Sequence, residues 1–230
     1  MIANSYQDTF QENTVTTNPV YGQKYLQYPA WIISILFHPL FISAYVGYYL
    51  IFIHPHYFSG FNSAQRLMVL LRIIVNMIVF PLISVLLLKG VGFIDSIFLK
   101  TQKDRIIPYI GCEIFFFWMY LVFRNQQEIP AILTTFIFGV FLSSSAALLA
   151  NIYNKISMHA IGCGGMTGIL LVMIYANTSS PVVIPLAISV LISGLVCTSR
   201  MMLGSHSQKE IYSGYVLGVA CQVVAALCLM

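Results

Sequence analysis

The chain has 230 residues, of which 59% are hydrophobic and only 8% charged. Soluble domains carry about 25% charged residues, so this composition excludes a soluble globular domain and describes a multi-pass membrane protein. The net charge of +4 is too small to argue for nucleic acid as a partner, and the five cysteines, an odd number in or beside apolar runs, show no ligand spacing and read as small packing residues.

Residues 1–28 are rich in Asn, Gln and Thr. They lack the basic stretch and short apolar core of a secretory signal, and read as a polar N-terminal tail ahead of a membrane domain over 29–230. Tyr21, Tyr25, Tyr28 and Trp31 mark an interfacial aromatic belt. Seven apolar stretches follow, near 30–53, 67–88, 107–123, 129–150, 159–176, 181–199 and 211–229. A spanning helix needs about 20 residues, and in lipid only helices or closed barrels satisfy the backbone. These runs therefore predict an all-α, polytopic transmembrane bundle of six to seven spanning helices. His38-Pro39 and Pro81 predict helix bends. Arg72 and Asn76, four apart on one face, predict an interhelical polar clamp. His54 and His56 have no acidic partners nearby and read as an interfacial loop rather than a metal site.

Three polar breaks carry the chemistry. Residues 89–106 hold Lys89, Asp95, Lys100, Lys103, Asp104 and Arg105, which read either as a topology signal in contact with anionic lipid or as a phosphate clamp. In NIYNKISMH, Ser157 and His159 open a helix that continues AIGCGG. Small residues there allow close helix packing, and a helix N-terminus favours an anion. In SRMMLGSHSQKE, His206 and Glu210 stand four apart, one turn on a helix. Glu210 can accept from one ring nitrogen and leave the other as a directed lone pair, while Arg200 offers a planar fork suited to phosphate. The pair suggests phosphoryl transfer from a lipid; a solvated ion pair on a loop has the same spacing. Two helices separate each break from the next, so all three share one side of the membrane. That side gathers Lys100, Lys103, Arg105, Ser157, His159, Arg200, His206 and Glu210; the other holds Arg66, Arg124, Glu128 and the turn NTSS.

These residues resemble the type 2 phosphatidic acid phosphatase superfamily, whose signatures are K-x6-R-P, P-S-G-H and S-R-x5-H-x3-D. Ser199, Arg200 and His206 match the third, with Glu210 in place of aspartate. Ser157 and His159 match the second, with Ile156 and Met158 replacing its proline and glycine. Arg105 answers to the arginine of the first, but Phe98 stands at the lysine position and Ile106 at the proline, leaving Lys100 or Lys103 to serve. The likeness covers roughly residues 95–220 and leaves the first two helices without a signature. It implies a phosphatase that needs neither metal nor other cofactor. His206 would attack phosphorus, Glu210 orient it, and His159 protonate the leaving oxygen and then activate water. Arg105, Arg200, a lysine, Ser157 and Ser199 would hold the phosphate.

The implied partners are a lipid phosphate substrate and membrane lipids, with no nucleic acid. The implied substrates are polyprenyl diphosphate, phosphatidylglycerol phosphate, phosphatidic acid or a lipid A phosphate. The implied place is a bacterial inner membrane, with the site on the periplasmic face. Outside the proposed site, Lys24, Lys89 and Lys155 stand against Arg66 and Arg124, too slight a bias to set orientation. A non-catalytic lipid-binding or scaffold relative is the alternative, motivated by Met158 and Glu210. A haem carrier with His159 and His206 as axial ligands would leave Arg105, Arg200 and Glu210 without a role.

Overall fold

The computed structural model describes residues 24–54, 56–94, 102–153, 155–176 and 181–230, with backbone alone at 24 and 102–104. Among them there is no strand. The helices are α1 (Lys24–Leu36), α2 (Pro39–Tyr48, extended by a π turn Tyr49–Ile53), α3 (Ser63–Ile74), a π turn Val75–Val79 and α4 (Phe80–Gly90). Then follow α5 (Gln102–Arg124), α6 (Ala131–Tyr153), α7 (Met158–Tyr175), α8 (Val183–Met202) and α9 (Gln208–Leu229). Among the described residues six helices are long and apolar enough to cross a bilayer: Ser63–Gly90, Arg105–Arg124, Ala131–Tyr153, Met158–Tyr175, Val183–Met202 and Gln208–Leu229. The pair Tyr25–Leu36 and Pro39–Ile53, bent by 57°, makes a seventh if it is one broken span. The chain is thus an all-α polytopic bundle, built as an integral membrane protein.

The two expected proline bends differ. At His38-Pro39 the first helix pair breaks, because Pro39 has no N–H with which to continue the helix. Pro81 instead stands just after the π turn Val75–Val79, inside one span of 28 residues. The widened turn takes up a ring that would otherwise press on the carbonyl four residues earlier. The expected interhelical clamp is corrected: Arg72 Nη1 donates to Gln126 Oε1 at 3.0 Å in the turn after α5, and Asn76 Nδ2 donates within its own span to the Arg72 carbonyl at 2.9 Å.

At the centre is α7, with 67% of its apolar window buried against other helices, compared with 22% for α3–α4 and for α8. Glycine lets it get there. A Cβ on Gly164 would collide with the Tyr215 carbonyl of α9, and one on Gly218 with the Ile161 carbonyl of α7. Lipid tails are as apolar as leucine, so helices gain by close van der Waals approach rather than by escaping water. Polar ties add register. Tyr215 Oη donates to Thr167 Oγ1 at 3.0 Å, and Gln222 Nε2 donates to the Phe136 carbonyl of α6 at 3.3 Å. Close to the N-termini of α7 and α9, Ser157 N–H donates to the Glu210 carbonyl at 3.3 Å.

Three sequence boundaries move. Helix α1 begins at Lys24, inside the expected tail; residues 1–23, and Tyr21 with them, lie outside the described residues, while Tyr25, Tyr28 and Trp31 are exposed on α1. Helix α8 runs to Met202, past the expected end at 199, so Arg200 is helical rather than in a loop. Helix α5 is described from Gln102, so Arg105 is helical rather than in a loop.

Candidate active site

The segment from Ser199 to Glu210 is two helix ends joined by a tight turn. Helix α8 stops at Gly204, whose φ of +63° is costly for any residue with a Cβ. Gly204 N–H donates to the Met201 carbonyl at 2.9 Å, and Ser205 N–H to the Arg200 carbonyl at 3.2 Å, the paired bonds of a Schellman stop. Helix α9 then starts at once. Ser207 is its N-cap and accepts from Glu210 N–H at 3.4 Å. His206 therefore precedes the helix, and the expected pairing across one helical face is corrected. Glu210 is the third helical residue, where a glutamate ordinarily folds back over the N-terminus. Here it folds back to the His206 ring, and Nδ1 donates to its Oε2 at 2.6 Å. A carboxylate can only accept, so Nδ1 carries the proton and Nε2 is the nitrogen left for chemistry.

His206 lines a cavity of about 360 Å³ whose wall also includes Arg105 from α5, His159 from α7 and Arg200 from α8. The four come from the three polar breaks that even numbers of crossings assign to one side. Below this polar end the wall is apolar, with Ile42, Val85, Phe116, Phe136 and Val140. Leu82 and Leu86 of α4 also line it, each about half exposed. The side chain of His206 is only 6% exposed. Burial, then the positive charges of Arg200, Lys155 and Arg105, pushes its imidazole down to about 3. The ring is therefore neutral at neutral pH, and Nε2 keeps its lone pair. The Glu210 carboxylate opposes those cations and would stabilise a positive charge on the ring. Arg200 Nε is buried and has no hydrogen-bond partner among the described residues. Such a donor is costly unless something accepts from it.

Other expected site residues fall elsewhere. Ser157 is fully buried and caps α7, its Oγ accepting from Ala160 N–H at 3.4 Å. Ser199 Oγ donates to the Leu195 carbonyl at 2.8 Å, one turn back in α8. Neither lines the cavity; each hydroxyl serves the backbone of its own helix, the commonest use of a short hydroxyl. Lys100 and Phe98 lie outside the described residues, and of Lys103 only the backbone is described. Met158, where the signature has glycine, sits on the cavity wall.

Residues the sequence reading did not assign to the site join it. His38, read only as a bend, lines the cavity and meets His159 edge to face, ring centroids 5.4 Å apart. Ser143, Ser144 and Gln222 lie along the same wall. Among the described residues no three His, Cys, Asp or Glu side chains are grouped to hold a metal ion. No family model matches the chain, and neither a curated protein nor a solved structure matches it.

Proposed function

We propose that the chain is a membrane phosphatase that removes phosphate from a lipid phosphate or diphosphate through a phosphohistidine. The observation that carries this reading is the His206–Glu210 pair, 2.6 Å apart, on a cavity shared with Arg105, Arg200 and His159. A buried neutral imidazole aimed by a carboxylate is an activated nucleophile. Two guanidinium groups on the same wall supply donors for the equatorial oxygens, whose charge they stabilise in the transition state. The apolar lower wall suits a hydrocarbon chain and argues against a water-soluble phosphate. The resemblance to the type 2 phosphatidic acid phosphatases supports the same chemistry, and it alone supports a periplasmic site in a bacterial inner membrane.

The steps balance on these residues. The Nε2 lone pair of His206 bonds to phosphorus as the bond from phosphorus to the lipid oxygen breaks, and that oxygen takes a proton from His159. In the second step His159 takes a proton from water. The water oxygen bonds to phosphorus, the phosphorus–nitrogen bond breaks, and its electron pair returns to Nε2. Lipid alcohol, or a lipid monophosphate from a diphosphate, and inorganic phosphate leave.

The test is phosphate release from a panel of lipid mono- and diphosphates by purified protein with divalent ions chelated. Release is expected, and His206→Ala should lower it by several orders of magnitude. Near-normal release by the variant would sink the mechanism. Tight lipid binding with no release by the wild type would favour the non-catalytic alternative.

A further inference from the structure

The broken first helix pair, α1 and α2, carries no signature of the resemblance, yet it touches the site at its least explained residue. In an unbroken α-helix the Ser34 carbonyl would accept from the N–H of residue 38. Here Pro39 has no N–H to give the Ile35 carbonyl, and His38 N–H takes that place at 3.1 Å. Phe37 N–H meanwhile bonds the Ile33 carbonyl at 2.9 Å. The Ser34 carbonyl is thereby left without its helical donor, and His159 Nε2 lies 3.0 Å from it, across 125 residues of chain. A carbonyl only accepts, so Nε2–H donates. His38, next in the broken turn, caps α2: its Nδ1 accepts from Leu40 N–H at 3.4 Å. Its ring stands nearly perpendicular to that of His159, at 84°.

We infer that the Pro39 break is a positioning device, in which the carbonyl it frees holds His159 in the tautomer with Nε2 protonated and makes Nδ1 the nitrogen that exchanges protons with substrate and water. The inference rests on the phosphatase reading for its chemistry, though not for its geometry. Ser34 does for His159 what Glu210 does for His206: an acceptor on one nitrogen dedicates the other. The two acceptors suit the two tasks. A full negative charge steadies the cation that His206 becomes on bonding phosphorus. A neutral carbonyl leaves His159 neutral in the free enzyme, so Nδ1 takes a proton from the P–OH of the bound phosphate monoanion, passes it to the leaving oxygen, then takes one from water and returns it to the departing phosphate. His38 and Ser34 are positioning residues, since they act through His159.

Pro39→Ala tests this directly. It restores an N–H for the Ile35 carbonyl, returns His38 N–H to Ser34 and withdraws the acceptor from His159. Two readouts are needed. The first is independent of activity: ¹⁵N NMR of histidine-labelled protein in micelles, with the His159 signals identified by their loss in His159→Gln. Wild type should show Nε2 protonated and Nδ1 bare, and Pro39→Ala should lose that fixed tautomer. The second compares a lipid monophosphate, whose alkoxide needs a proton to leave, with nitrophenyl phosphate, whose leaving group does not. Pro39→Ala should slow the first at least about tenfold more than the second, because a misplaced general acid costs most where the leaving group is most basic. General disruption of the bundle would slow both alike, and that result overturns the inference. So does an unchanged tautomer, or a wild-type His159 protonated on Nδ1 alone. A wild type with the expected tautomer and no activity on any phosphate would instead overturn the phosphatase reading, and the catalytic role with it.

Discussion

At the scale of single residues, the proposed chemistry turns on how much charge His206 feels. Glu210→Gln keeps a group able to accept from Nδ1 but removes the charge that steadies the phosphorylated, cationic ring. Its kcat should fall by about 10²- to 10⁴-fold with little change in substrate binding, as when a buried triad carboxylate is neutralised. Glu210→Asp keeps the charge and shortens the arm that now reaches back from α9, so it should lose distinctly less. Equal rates for Gln and Glu, measured as phosphate released under saturating lipid, would make the pair a mere surface contact. The surrounding cations set a second expectation. Because burial and Arg200, Lys155 and Arg105 depress His206 to about 3, the nucleophile stays neutral well below its ordinary 6.5. The acid limb of kcat/KM due to His206 should accordingly lie well below pH 6.5, activity being lost only as pH falls through the depressed value. Lys155 is exposed and outside the proposed clamp. Lys155→Gln removes one positive charge, which lets the ring gain its proton more easily. The limb should move to higher pH by roughly half a unit at low salt, and the shift should shrink as salt screens the charge. A limb that does not move, in a series of pH profiles at two salt concentrations, would show that Lys155 does not reach His206.

At the scale of elements, the placing of both histidines is a matter of helix ends, and the sequence shows these unevenly. Gly204 and the run Ser207-Gln208-Lys209-Glu210 are ordinary stop and start signals, and they account for the spacing of Arg200, His206 and Glu210 without any helical face. The hydroxyls of Ser157 and Ser199 are held by the backbone of α7 and α8, the usual fate of a short side chain next to a helix terminus or within a helix. His38 was legible only as a bend, because its place beside His159 depends on which carbonyl the bend frees. The ends are held in register by the glycines of α7 and α9. Gly164→Ala would drive a methyl into the Tyr215 backbone carbonyl, which no rotamer change relieves. The helices must part, costing about 1–3 kcal/mol as overpacking does, and the start of α9 moves away from α7 with Glu210 upon it. Thermal unfolding in micelles should show a clear drop for Gly164→Ala, together with weaker phosphate release. Gly194→Ala, in a helix but with nothing near its new methyl, is the matched control and should do neither. Equal melting of the two variants would mean that the α7–α9 contact accepts a methyl at position 164 without parting.

For the whole molecule, the apolar stretches and the even number of crossings between polar breaks made the bundle legible, since every spanning segment must be long and apolar and every crossing changes sides. What the stretches did not reveal is that the space between them is continuous from polar to apolar. Arg105, His159, Arg200 and His206 stand at one end of it, and Phe116, Phe136 and Val140 along the rest. If that apolar wall receives the lipid chain, rate should depend on chain length in a way that depends on where the substrate starts. For short-chain alkyl phosphates dissolved in water as monomers, each methylene buried is worth about 0.8 kcal/mol, or roughly fourfold in kcat/KM, until the wall is covered. For long-chain phosphates already in a bilayer the same step transfers hydrocarbon from lipid to protein, and no hydrophobic gain remains. A rising series in water followed by a plateau in vesicles is therefore expected, with phosphate release measured below the micelle threshold for the first series and at fixed surface density for the second. A water-soluble series that stays flat from short to long chains would place the hydrocarbon outside the cavity, and the lower wall would then be packing space rather than part of the site.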